Sequence, residues 1–271
     1  MRLGVGSYTF VWAVGVPGFP APDRPLTAEG LLRKASELGV RVVQIADNLP
    51  LDDRGATGRA GLRRLAERLG IEIQVGTRGV RPDHLLGYLA LAREFRSPVV
   101  RVVTDTDDDH PTPDEVVEAI RAVIPAYERA GVALAIENHD RFRGAVLADI
   151  LKRVGSPLAG ICLDTANSIG CLEDLPSLLA SIGGQVVNLH VKDYQIRRAP
   201  HQKGFIVEGR PAGRGQLDIP WLLAELRSRG RDPDAILELW PPPESRIADS
   251  VAKEDAWAAE SVRYLRRFIP D

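Results

Sequence analysis

The chain has 271 residues, 44% of them apolar and 27% charged, with a formal net charge of -2. That balance is ordinary for a soluble globular protein and gives nothing to draw it to nucleic acid or to anionic lipid. Cys162 and Cys171 are too few for a disulfide framework. The sequence carries no signal-peptide pattern and no bilayer-length apolar run, so the expected location is the cytoplasm.

Eight short runs rich in Val, Ile and Leu read as strands buried on both faces, alternating with amphipathic helical segments. Leu3–Phe10 comes first, and Thr27 then caps a helix that closes at Gly39. Val40–Asp47 precedes GLRRLAERLG, and Ile71–Thr77 precedes PDHLLGYLALAREF. Val99–Thr104 leads to a helix whose start, Thr112-Pro113-Asp114-Glu115, is a capping box. Pro125 is expected to kink or split that helix. Ala133–Asn138, Ala159–Asp164 and Val186–Val191 follow, each with a helical pattern after it. Tyr194 to Gln216 is the longest irregular stretch, and Ala235–Leu239 with EDAWAAESVRYLRRF completes the series.

Eight βα units predict an α/β chain whose residues 1–271 form a single (β/α)8 TIM barrel, for which ~250 residues is typical. The competitor, a doubly wound open sheet, lacks its glycine fingerprint here.

In such a barrel the chemistry sits where strands end. The fifth to eighth strands end on or carry Glu137, Asp164, His190 and Glu238. An acidic group in a buried strand is costly unless paired or bound to metal. Singly, each has a bland reading: Glu137 as the ion-pair partner of Lys192 or Arg101, Asp164 as a helix cap, His190 as a satisfied core histidine. Together on four successive strands, three carboxylates and an imidazole predict one divalent metal. Mn2+ leads, with Mg2+, Co2+ and Zn2+ as alternatives. A substrate oxygen or a nearby cation should complete the neutralisation.

Lower-ranking features surround this set. Tyr8, Trp12 and Trp240 are candidates for an apolar wall, and Asp47, Asn48 and Arg78 for the pocket lining. Lys192 either adds positive charge at the metal or pairs with Asp193. The loop carrying Arg197, Arg198, His201, Lys203, Arg210 and Arg214 reads either as a solvated basic loop or as a clamp for an anionic substrate. The acidic run Asp105–His110 reads as a solvated loop rather than a calcium site.

Several motifs carry a resemblance: Glu-Asn-His at Glu137–His139, Leu-Asp-Thr at Leu163–Thr165, His-Val-Lys-Asp at His190–Asp193, Glu238 within ILELW, and Gly213–Gly215 followed by Leu217 and Asp218. In that order the sequence resembles the xylose-isomerase-like TIM-barrel family, the sugar phosphate isomerases and epimerases. The resemblance implies that Glu137, Asp164, His190 and Glu238 hold the metal and that Glu137 and Glu238 form the acid/base pair. His139, Asn167, Lys192, Arg198, Arg214 and Trp12 are the residues expected to touch substrate. One departure stands out: Asn167 occupies the position three after the metal aspartate where many members have a histidine, and an asparagine carries no proton at neutral pH.

The leading expectation is a metal-dependent isomerase or epimerase acting on a sugar or sugar acid through an enediolate. The alternative is a metal-dependent lyase, a decarboxylase or dehydratase, of a 3-oxo sugar or sugar acid. Asn167 and the basic loop tilt toward the lyase. A nuclease would need more histidines than His84, His110, His139, His190 and His201, and a non-catalytic binding barrel would be expected to have lost some of the four ligands. The expected partner is a small carbohydrate, with no nucleic acid and no membrane. Homo-oligomer formation is compatible with the sequence but demanded by no residue.

Overall fold

The computed structural model describes residues 1–270. In chain order the first half comprises β1 (Leu3–Gly6), α1 (Val11–Val14), α2 (Ala28–Glu37), β2 (Val42–Ile45), α3 (Ala56–Leu69), β3 (Glu72–Arg78), α4 (Pro82–Phe95), β4 (Val99–Val103) and α5 (Pro113–Ala130). The second half comprises β5 (Ala133–Glu137), α6 (Gly144–Val154), β6 (Ala159–Asp164), α7 (Leu175–Ile182), β7 (Val186–Val191), β8 (Tyr194–Arg198), β9 (Phe205–Gly209), α8 (Ile219–Ser228), β10 (Ala235–Leu237) and α9 (Ile247–Leu265). The strands β1 to β7 and β10 close into one parallel eight-stranded barrel, β10 lying between β7 and β1.

The expected strands are all present: β6 and β7 keep their expected bounds, β3 is shifted by one residue to end at Arg78, and the other five are shortened. Leu3–Phe10 is shortened most: after Gly6 the chain turns into a 3-10 segment, Ser7–Thr9, which the Thr9 hydroxyl pins by accepting from the Gly6 N–H at 2.8 Å. Thr27 caps α2 and Thr112 forms the capping box of α5. Pro125 does not split α5, which runs unbroken to Ala130. The proline is exposed, so the carbonyl left without its helical donor can bond water.

The main core lies between strands and helices, with residues such as Leu32, Leu62, Leu85, Ile120, Leu147 and Leu222 fully buried. Burying a side chain of this kind contributes about 1.5–3 kcal/mol. Inside the barrel the filling is different. Gln44, Gln74, Arg101, Glu137, Asn188 and His190 are buried polar groups carried by barrel strands.

The stretch after β7 is not irregular. β8 and β9 pair antiparallel, Tyr194 opposite Gly209 and Arg198 opposite Phe205. Asp193 anchors this hairpin: its carboxylate accepts the backbone N–H groups of Tyr194, Gly213, Gly215 and Leu217 at 2.8–3.0 Å. Two motifs distant in sequence, His190–Asp193 and Gly213–Gly215, thereby form one contact. Lys192 accordingly does not pair with Asp193.

Candidate active site

Parallel pairing sets four side chains at one rim. Glu137 ends β5, Asp164 ends β6, His190 lies on β7 in register with Asp164, and Glu238 follows β10 directly. Asn138 locks the rim, donating to the Asp164 carbonyl at 2.8 Å and accepting the Asp164 N–H at 2.7 Å.

The Nδ1 atom of His190 lies 3.1 Å from Glu238 Oε1 and 3.3 Å from Glu137 Oε2. Ligand atoms of Asp164, His190 and Glu238 all fall within 4.8 Å of one another, and so do those of Glu137, Cys162 and His190. His190 Nδ1 is buried and makes no hydrogen bond, and the equally buried Asp164 Oδ2 has the Lys192 ammonium as its one partner. A buried ring nitrogen without a hydrogen bond is what a cation satisfies, and oxygen donors with one imidazole suit a divalent metal. The group fits these residues. Cys162 is the odd member: burial pushes its thiol up to about 11, so it stays protonated near neutrality.

Two permanent cations share the cluster. Arg101 pairs with Glu137 through Nε and with Asp47 through Nη1 at 3.1 Å. Lys192 Nζ sits 2.7 Å from Asp164 and 2.9 Å from Glu238. Burial alone would push Glu137 up, but Arg101 and then His190 outweigh it and hold the carboxyl well below its usual range. Glu238 is likewise lowered, burial being overcome by His190 and Lys192. Burial opposes charge on His190 and Lys192, yet both are raised, His190 by Cys162, Glu238 and Glu137, and Lys192 by Asp164, Glu238 and Glu137. Asp164 also caps the turn that follows it, accepting from Ala166 and Asn167 at 2.8 Å. The ion-pair and cap readings of these residues therefore coexist with the converging geometry.

Asn167 joins the two halves. It donates to Glu137 Oε1 at 2.9 Å and accepts from Lys192 at 3.4 Å. His139 lines the same cavity, of about 280 Å³, with its Nδ1 against Asp140 at 2.6 Å. Trp12 lines a larger neighbouring lobe of about 1020 Å³, its Nε1 donating to the Pro241 carbonyl at 2.9 Å. Tyr8 borders both lobes. The larger lobe is the more apolar of the two and lies beside the charged cluster, so its size does not locate the chemistry.

Two expected substrate contacts are engaged elsewhere. Arg198 stacks over Phe205 and bonds the Gln202 carbonyl, and Arg214 pairs with Glu260 on α9. Arg197 and Arg210 both bind Glu208. The hairpin thus satisfies these charges internally, and the anion clamp is not formed by them. Asp105 is held by Arg141 and Thr104, and among the described residues the groups able to hold a metal ion include none on that loop.

Arg78 takes the place those arginines leave. It ends β3 and borders both lobes of the mouth. Its Nε is buried without a partner, and among the described residues it forms no ion pair. The sequence offered a signal, a basic residue at a barrel strand's C-terminal end, whereas Arg101 lies in the middle of its strand.

A closed parallel barrel with an ionisable cluster at the strand ends defines an enzyme scaffold with a mouth-sited centre. Residues 32–268 match the family model described as xylose isomerase-like TIM barrel. The chain belongs to that family. It is 31% identical over 267 residues to a 3-oxo-isoapionate decarboxylase of Pectobacterium atrosepticum, covering 98% of this chain and 95% of that one. A crystal structure of D-psicose 3-epimerase in the presence of D-fructose superposes with a TM-score of 0.75 at 16% identity, all of each chain being covered. A family protein from Mycobacterium smegmatis in complex with magnesium gives 0.69 at 15% identity over 97% of each chain. These two structures share the fold. No helix among the described residues is long and apolar enough to cross a membrane.

Proposed function

We propose that the protein is a metal-dependent decarboxylase of a 3-oxo sugar acid. The observation that carries this reading is Arg78: in a mouth where Arg101 and Lys192 are both paired, one guanidinium is left facing the cavity without an anion. Arg78 is half-buried, so its unpaired charge keeps part of a desolvation cost that a ligand carboxylate removes. A neutral ketose has no such group. The decarboxylase relative supports the same class.

Glu137, Asp164, His190 and Glu238 would hold the metal, with Mn2+ the leading ion. When bound, it would supply Lewis-acid chemistry toward the substrate's oxo group. Arg78 binds the carboxylate end of the substrate. As the carbon–carbon bond breaks, CO2 leaves and the electron pair moves toward the oxo oxygen, where Lys192 offsets the growing charge. A proton from solvent then completes the carbon. Asn167 orients Glu137 and Lys192 and needs to transfer no proton.

The second reading, epimerisation or isomerisation, rests on Glu137 and Glu238 as carboxylates on separate strands. It needs one of them protonated to return a proton, and the cations beside both hold them ionised. The two readings separate in one experiment. Mn2+-loaded protein is given a 3-oxo sugar acid and, separately, a ketose in D2O. Stoichiometric CO2 release supports the decarboxylase. Deuterium entering a ketose of unchanged formula, without CO2 from the acid, would reverse the order. Arg78→Met should raise KM for the acid by about tenfold or more with a smaller change in kcat, since a charged hydrogen bond contributes about 1.5–3 kcal/mol.

A further inference from the structure

The interior below the charged mouth is joined by one line of amides. His190 Nε2 lies 2.6 Å from Gln44 Oε1. Gln44 Nε2 donates to Asn188 Oδ1 at 2.9 Å, and Asn188 Nδ2 donates to Gln74 Oε1 at 3.0 Å. Gln74 Nε2 donates to Asp234 Oδ2 at 2.9 Å. Asp234 immediately precedes β10, at the opposite end of the barrel from the rim. Arg2 grips it, its backbone N–H and Nε each 3.0 Å from Oδ1 and its Nη2 2.5 Å from Oδ2.

We propose that Asp234 is a positioning residue that, through Gln74, Asn188 and Gln44, fixes which ring nitrogen of His190 is free to take a metal. The inference rests on reading His190 as a metal ligand, but the direction of the line can be measured without a metal. A carboxylate only accepts hydrogen bonds, so Gln74 must turn its NH2 toward Asp234. Each amide has one donor end and one acceptor end, so the orientation passes along the line unchanged. Gln44 finally presents its carbonyl to Nε2, which must carry hydrogen. Nδ1, the atom that faces Glu137 and Glu238, keeps its lone pair for a cation. The Cys162 thiol supports the same direction, donating to Asn188 Oδ1 at 3.3 Å. Glu72 also faces Gln74 Nε2, but at 3.5 Å the contact is too long to hold the line alone.

Asp234→Asn tests the anchor. Arg2 keeps one oxygen through its backbone N–H and Nε, so the new amide NH2 turns toward Gln74. Gln74, Asn188 and Gln44 must then turn over, and Nε2 becomes the acceptor. The double variant Asp234→Asn/Gln74→Glu moves the carboxylate one step along the line at constant net charge and restores the original direction.

Two readouts apply: the 15N shift of His190 Nε2 in histidine-labelled, metal-free protein at a pH high enough to leave the imidazole neutral, with one ring proton, and Mn2+ affinity by titration calorimetry. Nε2 should be protonated in wild type and in the double variant but not in Asp234→Asn. Mn2+ affinity should fall roughly 10–100-fold in the single variant, the usual effect of losing an outer partner of a metal histidine, and recover in the double. Asn188→Leu cuts the line nearer the site and should lose affinity too, which keeps the test open if Asp234→Asn does not fold. An unprotonated Nε2 in wild type, or unchanged shifts and affinities in both single variants, would overturn the proposal. Wild type that takes up no Mn2+ while the shifts behave as stated keeps the relay and removes the metal reading alone.

Discussion

Lys192→Met removes the ammonium that Asp164 and Glu238 share at 2.7 and 2.9 Å. Both carboxylates are nearly inaccessible, with side-chain exposures of 0% and 5%. Removing one partner of a buried ion pair costs about 3–5 kcal/mol, because the charge left behind keeps its desolvation penalty without its compensation. For a chain of this size that lowers Tm by roughly 6–20 °C. A divalent cation can replace what the lysine supplied, so added Mn2+ should raise the Tm of the variant more than that of wild type. The assay is a thermal melt of both proteins in EDTA and in excess Mn2+. Equal melting temperatures in EDTA would show that Lys192 is not needed to balance the carboxylates. A gap that Mn2+ leaves unchanged would show that no cation binds between them.

Two further variants probe the supports of the mouth. Glu254 on α9 accepts the N–H groups of Trp12 and Ala13 at 3.0 and 3.1 Å, and burial pushes it up from 4.5 to about 8, against the pull of those two bonds. Between those values the folded state holds a proton that the unfolded chain releases, so this group's contribution to stability falls as pH rises from 4.5 to 8. Glu254→Gln should therefore flatten the decline, and its deficit against wild type in urea melts should shrink from pH 5 to pH 8.5; a constant difference would refute the assignment. At Gly215, an added Cβ would lie 2.1 Å from Asp193 Oδ1 and 2.4 Å from the Tyr194 carbonyl. Gly215→Ala should break the Asp193 anchor, lower Tm by several degrees and open the β8–β9 hairpin to proteolysis, and a resistant hairpin would count against the anchor.

The barrel was legible because its signals are local and repeated. Val-rich runs, glycine helix ends and the Thr112 box each depend on neighbours within a few residues. The rim was legible for a related reason: Glu137, Asp164 and His190 each interrupt an apolar run at the C-terminal end of a strand, and Glu238 directly follows one. What escaped was pairing at long range. Nothing near Arg214 in sequence announces Glu260, and nothing near Arg198 distinguishes an arginine that stacks on Phe205 from one that reaches substrate. Arg78 ends β3 while Arg101 lies in the middle of β4, level with Gly76, and only Arg101 meets Glu137 and Asp47. The interior amides did leave a trace. Asn188 lies two residues before His190 on the same face of β7, and Gln44 and Gln74 interrupt apolar strands in register with each other. Polar residues at that period inside buried strands mark a hydrogen-bonded interior, and the apolar runs around them hid the mark.

Charge balance ties the site to its proposed substrate. The mouth sets Asp47, Glu137, Asp164 and Glu238 against Arg78, Arg101 and Lys192. A protonated His190 makes that group neutral, which is why its imidazole is raised in the metal-free protein. Metal uptake needs the His190 Nδ1 lone pair, so it exchanges one proton charge for a double one. The loaded mouth then carries one surplus positive charge, and Arg78 is the cation in it with no partner of its own. A substrate monoanion restores neutrality and a neutral sugar does not. The same arithmetic explains why this chain keeps two permanent cations among its ligand carboxylates. Without them, the metal alone would leave the mouth negative and would repel the acid that Arg78 is placed to hold.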